Sequence, residues 1–464
     1  MKRPAPPDTT VFVQRSCLAA SAAEVFQWHA RTGAFERLTP PWEHVRIIEK
    51  HGGIEDGARL VMQLGPGGFG PRWVADHCDT IPGEQFRDVQ TSGPFAFWEH
   101  THRFEPAGPA ACWLDDRIEY RLPGGALGTL AAGAFTHRKL QRMFDYRHRI
   151  TAGDVAAHAG ARAAGPLKML VTGSTGLIGS ALVPYLTTGG HAVTRLIRSG
   201  QRADAIVWDS ATGTIDRPAL EGFDAVVHLA GESVAGGRWT AEKKGRIRAS
   251  RRDDTRALVA ALTSLAKPPK VLVVASAVGF YGDRGAELLR EDSTPGTGFL
   301  AEVCREWEAA TAAAAARGIR VVNLRLGVVL SAAGGALATM LTPFSLGLGG
   351  PVGDGNQYLS WIALDDVLDA VLYACTTPTL AGPVNVVAPN PVPNREFAAT
   401  LGRVLARPAI IPVPALAVRL LFGEMGDELL LASTRVEPAR LTAAGLPFRY
   451  SDLEPALRHL LGRS

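Results

Sequence analysis

The chain has 464 residues, a formal net charge of +4, 46% hydrophobic and 20% charged residues. That length exceeds one ordinary hydrophobic core and points to two or three globular domains. No Lys/Arg block or aromatic-basic stripe supports a nucleic-acid partner, no apolar run approaches the roughly 18 residues of a membrane span, and MKRPAPPDTT lacks the apolar centre of a secretory leader. Five separated cysteines, Cys17, Cys78, Cys112, Cys304 and Cys375, odd in number and without a CxxC pair, read as reduced thiols of a cytoplasmic protein.

Thr10 to Cys17 reads as a strand, and Ser21-Ala22-Ala23-Glu24 is a capping box opening a short helix. Strand-like runs follow at His44 to Lys50, Arg59 to Leu64, Arg72 to Thr80, Gln85 to Thr91, Ala96 to Phe104 and Cys112 to Arg121. Gly/Pro turns separate them, and a helix from about Gly128 to His148 closes the series. This order, with segments such as Leu38-Thr39-Pro40-Pro41-Trp42-Glu43, resembles the helix-grip (START-like, polyketide-cyclase-like) domains. The resemblance implies an α+β domain over 1–150 that binds a hydrophobic small molecule, with Trp42, Trp73, Phe95, Trp98 and Trp113 as cavity or core residues. His100 and His102 share one strand face, but no third ligand is in view and no metal site is expected.

Residues 151–166, TAGDVAAHAGARAAGP, read as a small-residue linker with a helical start. Lys168 to Leu182 then carries the most informative pattern in the chain. Met169 to Val171 is a buried parallel strand, Gly173 and Gly176 let the backbone turn close to a pyrophosphate, and Gly179 lets the following helix pack on the sheet. Thr172, Gly173, Ser174, Thr175, Gly176, Leu177, Ile178 and Gly179 are therefore candidate cofactor-binding residues, with phosphate on the free N–H groups at the helix start. A second strand, Ala192 to Ile197, ends at Arg198, where a NAD site would ordinarily place a carboxylate. An arginine there suits a 2′-phosphate, so NADP(H) is expected over NAD(H).

Further strands are expected at Ala205 to Trp208, Ala225 to Leu229, Val271 to Ala275 and Val321 to Leu324, with helices over Ala241 to Leu265 and Leu300 to Arg317. This alternation is that of a doubly wound α/β sheet. Trp208-Asp209, Leu229-Ala230-Gly231, Ser276 to Gly282, Arg325 to Leu330, Pro343 to Pro351, Ser360-Trp361-Ile362 and Asp365-Asp366 together resemble an atypical, extended, epimerase-like branch of the short-chain dehydrogenase/reductases. The resemblance runs from Leu167 to the C-terminus, giving a Rossmann-like domain over 167–390 and a small α/β substrate domain over 391–464. It implies that Trp208, Asp209, Leu229, Ala230 and Gly231 border the cofactor. It also implies a homodimer built on two helices, unless the added domain covers that surface.

The chain has no Tyr with Lys four residues later, the pair that moves the proton in that superfamily. Tyr281 with Ser276 is one replacement. Another lies in Glu302, Arg305 or Glu306; a third is water, with Arg325, Gln357 and Trp361 binding substrate. The expected function is an NADP(H)-binding epimerase-like oxidoreductase acting on a small apolar or carbonyl substrate. A non-catalytic NADP(H)-dependent sensor or scaffold is the alternative.

Overall fold

The computed structural model describes residues 6–200, 202–209 and 214–463. They form two compact units, the first running to Arg162 and including Thr187–Gly190, the second comprising Ala163–Leu186 and His191–Arg463.

In the first unit, strands β1 (Thr10–Leu18), β2 (Val45–His51), β3 (Arg59–Leu64), β4 (Arg72–Ile81), β5 (Gln85–Ser92), β6 (Phe97–Gly108) and β7 (Ala111–Arg121) make one antiparallel sheet in the order β1-β7-β6-β5-β4-β3-β2. Alternation along β7 buries Cys112, Leu114, Asp116, Ile118 and Tyr120, so one face of the sheet is turned inward. Helix α1 (Ala22–Ala30) starts with the expected capping box: Ser21 Oγ accepts from the Glu24 amide, and the Glu24 carboxylate accepts from the Ser21 amide. Helix α2 (Ala34–Leu38) follows.

Helix α3 runs from Gly125 to Ala161, longer than its apolar pattern suggested. Its extension through the expected linker has a physical cause. Asp154 is fully buried and accepts two hydrogen bonds, at 2.8 and 2.7 Å, from the buried Arg37 guanidinium, which holds a turn that composition alone would leave loose. Leu140, Phe144 and Ile150 pack on the sheet, whereas Leu127, Leu130 and Phe135 in the opening turns are exposed.

The second unit holds an eight-stranded sheet. Strands β8 (Lys168–Thr172), β9 (Ala192–Ile197), β10 (Ala205–Asp209), β11 (Thr214–Ile215), β12 (Ala225–His228) and β13 (Val271–Ala277), with Arg320–Leu326 and Gly382–Val386, lie in the order β11-β10-β9-β8-β12-β13 and then the last two. All pair in parallel except β11, an antiparallel edge. Helices α4 (Leu177–Thr188), α5 (Ala241–Thr263) and α6 (Phe299–Ala309) intervene. The single helix expected over Leu300 to Arg317 is two, because the chain leaves α6 at Ala310 and resumes at Ala312–Ala316. Helices Asn394–Leu405 and Leu453–Leu461 share a second core with Trp361, Phe344 and Phe397. No helix among the described residues is long and apolar enough to cross a membrane.

Candidate functional site

The chain leaves β8 towards β9 and β10 on one side and returns as β12 on the other, so the carboxyl ends of β8 and β12 border a topological switch point, where open α/β sheets bind ligands. Gly173 turns there with φ of 66°. A Cβ on it would lie 2.7 Å from the Leu229 carbonyl carbon, and one on Gly179 would lie 2.2 Å from the Gly173 oxygen. Neither position admits a side chain. Gly176 differs: it is exposed, its φ is ordinary, and a Cβ would meet only the Gly173 oxygen at 3.4 Å. Apart from its chain neighbours and that oxygen, nothing of the protein lies within 4 Å of where a Cβ on Gly176 would stand. A pyrophosphate on the first turn of α4 fits that cradle.

Thr172 serves the cradle from beneath. Its hydroxyl oxygen accepts from the Leu229 and Ala230 amides, both at 3.1 Å, and lies 2.8 Å from His228 Nδ1. His228 Nε2 lies 3.1 Å from the Thr255 hydroxyl on α5, and burial pushes the imidazole down to about 4. Buried in the core, His228 acts as a strut between β8 and α5, a role that the sequence analysis did not identify. Arg251 was missed too: it donates to the Glu232 carbonyl at 2.9 Å and stands behind Gly231. The signal for both was the spacing Ile247, Arg251, Thr255 along the inner face of α5.

Of the other cofactor candidates, Ser174 is buried, Thr175 is exposed, and Leu177 and Ile178 are half-buried at the start of α4. Arg198 is exposed immediately after β9. It contributes to holding Glu232 below the usual carboxylate range, behind the Lys243 ammonium at 2.6 Å, which is the main cause. Trp208 departs from expectation: it lies in the hydrophobic core with Leu170, Leu196 and Leu220, and only Asp209 of that pair is exposed.

The catalytic candidates occupy a buried polar network. Tyr281 is fully buried in the single turn Val278–Tyr281 after β13. Its oxygen is 2.7 Å from Asn385 Oδ1 and 2.9 Å from the Arg290 carbonyl, and accepts from Arg325 Nη1 at 2.9 Å. Burial raises the phenol above its ordinary value despite Arg325, the reverse of what a lysine partner does in the superfamily. Ser276 donates to Glu308 Oε1 at 2.8 Å. Arg325 grips both Glu308 oxygens, at 2.8 and 2.9 Å, and lies 3.5 Å over the Phe280 ring.

The substrate-binding candidates are not brought to one open face. Arg325 is spent on Glu308 and Tyr281, the Gln357 amide donates to the Val352 and Leu430 carbonyls, and Trp361 donates to the Asn390 carbonyl. Glu302 and Glu306 pair with Arg248 on α5, and Arg305 is exposed.

The first unit encloses a cavity of about 900 Å³ between sheet and helices. Trp73, Phe95 and Trp98 line it as expected. Trp42 instead packs on Tyr146 under the Arg142 guanidinium, and Trp113 lies on the outer sheet face beneath Arg15.

A doubly wound sheet with this glycine turn at its switch point defines an NAD(P)-binding protein of the Rossmann-like class. Residues 169–387 match the NAD-dependent epimerase/dehydratase family, residues 18–145 the polyketide cyclase/dehydrase and lipid transport family, and residues 413–460 a domain of unknown function, DUF1731. The chain belongs to the NAD-dependent epimerase/dehydratase family. An epimerase family protein of Mycobacterium tuberculosis is 42% identical over 294 residues, 63% of this chain and 97% of the relative. The crystal structure of the nucleoside-diphosphate sugar epimerase from Corynebacterium glutamicum superposes with a TM-score of 0.80 at 35% identity, covering 97% of this chain and 90% of the other. Human epimerase family protein SDR39U1 (isoform 2), crystallised with NADPH, has a TM-score of 0.59 and 36% identity over 63% of this chain and 99% of its own. The helix-grip and Rossmann-like expectations therefore both hold.

Proposed function

We propose that the second unit binds NADP(H) in preference to NAD(H) and, with nicotinamide supplying hydride chemistry, acts as an epimerase-like oxidoreductase on a small apolar or carbonyl substrate. The carrying observation is the cradle at the switch point: Gly173 and Gly179 admit no side chain, a Cβ on Gly176 would meet only the Gly173 oxygen, and Arg198 stands exposed at the end of β9. In this reading Arg198 holds the 2′-phosphate, Asp209 borders the adenine, and Leu229 to Gly231 flank the pyrophosphate. The crystallisation of human SDR39U1 with NADPH supports the choice of cofactor. Tyr281, Ser276 and Arg325 then brace the wall of the site through Glu308, and the proton comes from water. The first unit binds an apolar ligand in its cavity.

A second reading, a cofactor-dependent sensor without turnover, is favoured by one observation: the Tyr281 hydroxyl is already bonded on three sides. Titrating the protein with NADPH and NADH by nicotinamide fluorescence tests the cofactor, with tighter NADPH binding expected. NADPH consumption with any carbonyl or sugar substrate removes the sensor reading. Binding of neither nucleotide removes both.

A further inference from the structure

The inward face of the first unit's sheet carries a polar row across a cavity lined mainly, though not only, by apolar side chains. The register pairs Asp88 on β5 with His100 on β6, and His102 on β6 with Asp116 on β7. Asp88, His100 and His102 all line the cavity and each offers one donor atom within 4.8 Å of the other two, the one such group among the described residues. Asp88 Oδ2 lies 3.1 Å from His100 Nδ1 and 3.8 Å from His102 Nε2. Two donors about 2.1 Å from a tetrahedral ion stand roughly 3.4 Å apart, between those two separations.

The second ring nitrogens both face the Asp116 carboxylate. His100 Nε2 lies 3.1 Å and His102 Nδ1 2.5 Å from Asp116 Oδ1. Asp116 Oδ2 is in turn 2.7 Å from His148 Nε2, and His148 Nδ1 is 2.9 Å from the Ser16 hydroxyl. One buried carboxylate thus lies behind both imidazoles, hydrogen-bonded to His100 and in close contact with His102, and leaves His100 Nδ1 and His102 Nε2 to face Asp88. Metal-ligating histidines are held in this way, with the far nitrogen on a carboxylate.

We propose that Asp88, His100 and His102 form a site for one divalent first-row transition ion on the polar floor of this cavity. Two imidazoles and a carboxylate suit zinc or ferrous iron and leave coordination positions open. Those positions face the cavity, so the ion takes an oxygen donor, a carboxylate or carbonyl, at one end of an apolar molecule. The site is independent of nucleotide binding in the second unit. Asp88 escapes a search along the chain because its partners lie 12 and 14 residues away, and only the β5–β6 register brings the three together.

The test is a Co²⁺ and Zn²⁺ titration of the full-length protein after chelator treatment. One equivalent of Co²⁺ should bind with visible d–d bands and without a thiolate charge-transfer band, and Zn²⁺ should raise Tm. Asp88→Asn and His102→Gln should each weaken Co²⁺ binding at least tenfold while circular dichroism and NADPH titration stay as in wild type. Absence of saturable binding and of a Tm shift in the wild-type protein would overturn the assignment, which needs no variant to fold. A thiolate band, or wild-type affinity in both variants, would overturn it as well.

Discussion

The Thr172 hydroxyl and His228 Nδ1 lie 2.8 Å apart, and the same hydroxyl accepts the Leu229 and Ala230 amides. The first loop of the nucleotide crevice is thereby fixed to the second by one oxygen. Because His228 is buried neutral, its folded value lies below its unfolded one, and the sign follows directly. Its contribution is present above about 6.5 and is lost as pH falls from there towards about 4, because the unfolded state takes up the proton first. Comparing wild type with His228→Gln by chemical denaturation, the stability difference should shrink across that interval. A difference constant from pH 7 to 4 would contradict the strut.

Gly173 and Gly176 should separate fold from binding. Gly176→Val leaves the backbone unstrained, so Tm should stay close to wild type while NADPH binding disappears. Gly173→Val drives a Cβ into Leu229 at a positive φ and should lower Tm of the second unit by itself. Differential scanning calorimetry with NADPH titration reads both.

Arg198→Ala should weaken NADPH on the order of 10- to 100-fold, the worth of one or two charge-assisted hydrogen bonds. NADH affinity should be unchanged. Equal losses for both nucleotides would assign Arg198 elsewhere.

Tyr281→Phe removes a hydroxyl that Arg325 and Asn385 use, and should destabilise by about 1–3 kcal/mol. Glu308→Ala leaves the Arg325 guanidinium buried without its carboxylate and should cost about 3–5 kcal/mol. Urea denaturation checks both. Turnover by Tyr281→Phe at the wild-type rate would support its role as a brace, and a loss of several orders of magnitude would restore it as the acid.

The glycine turn and parallel strands were legible because glycine geometry and buried apolar runs are local properties. Legibility failed where meaning lies in pairing across the sheet. His100 and His102 showed their shared face in the sequence, yet Asp88 and Asp116 join them only through strand register. Arg325 could be read as a substrate ligand because nothing along the chain announces Glu308 as its partner. The extension of α3 to Ala161 rests likewise on Arg37, more than a hundred residues earlier.

The opening turns of α3 carry Leu127, Leu130 and Phe135 outward, while the helix beyond Leu140 is clamped to the sheet. The cavity wall is consequently unequal: Asp88, His100 and His102 form a polar base, and Phe135, which also lines the cavity, stands largely exposed. An occupant held by the proposed ion would meet strict chemical demands at its head and lenient ones along its tail. Homologous compounds differing by several methylenes should compete for this chamber almost equally, whereas exchanging the oxygenated head for a methyl group should exclude them.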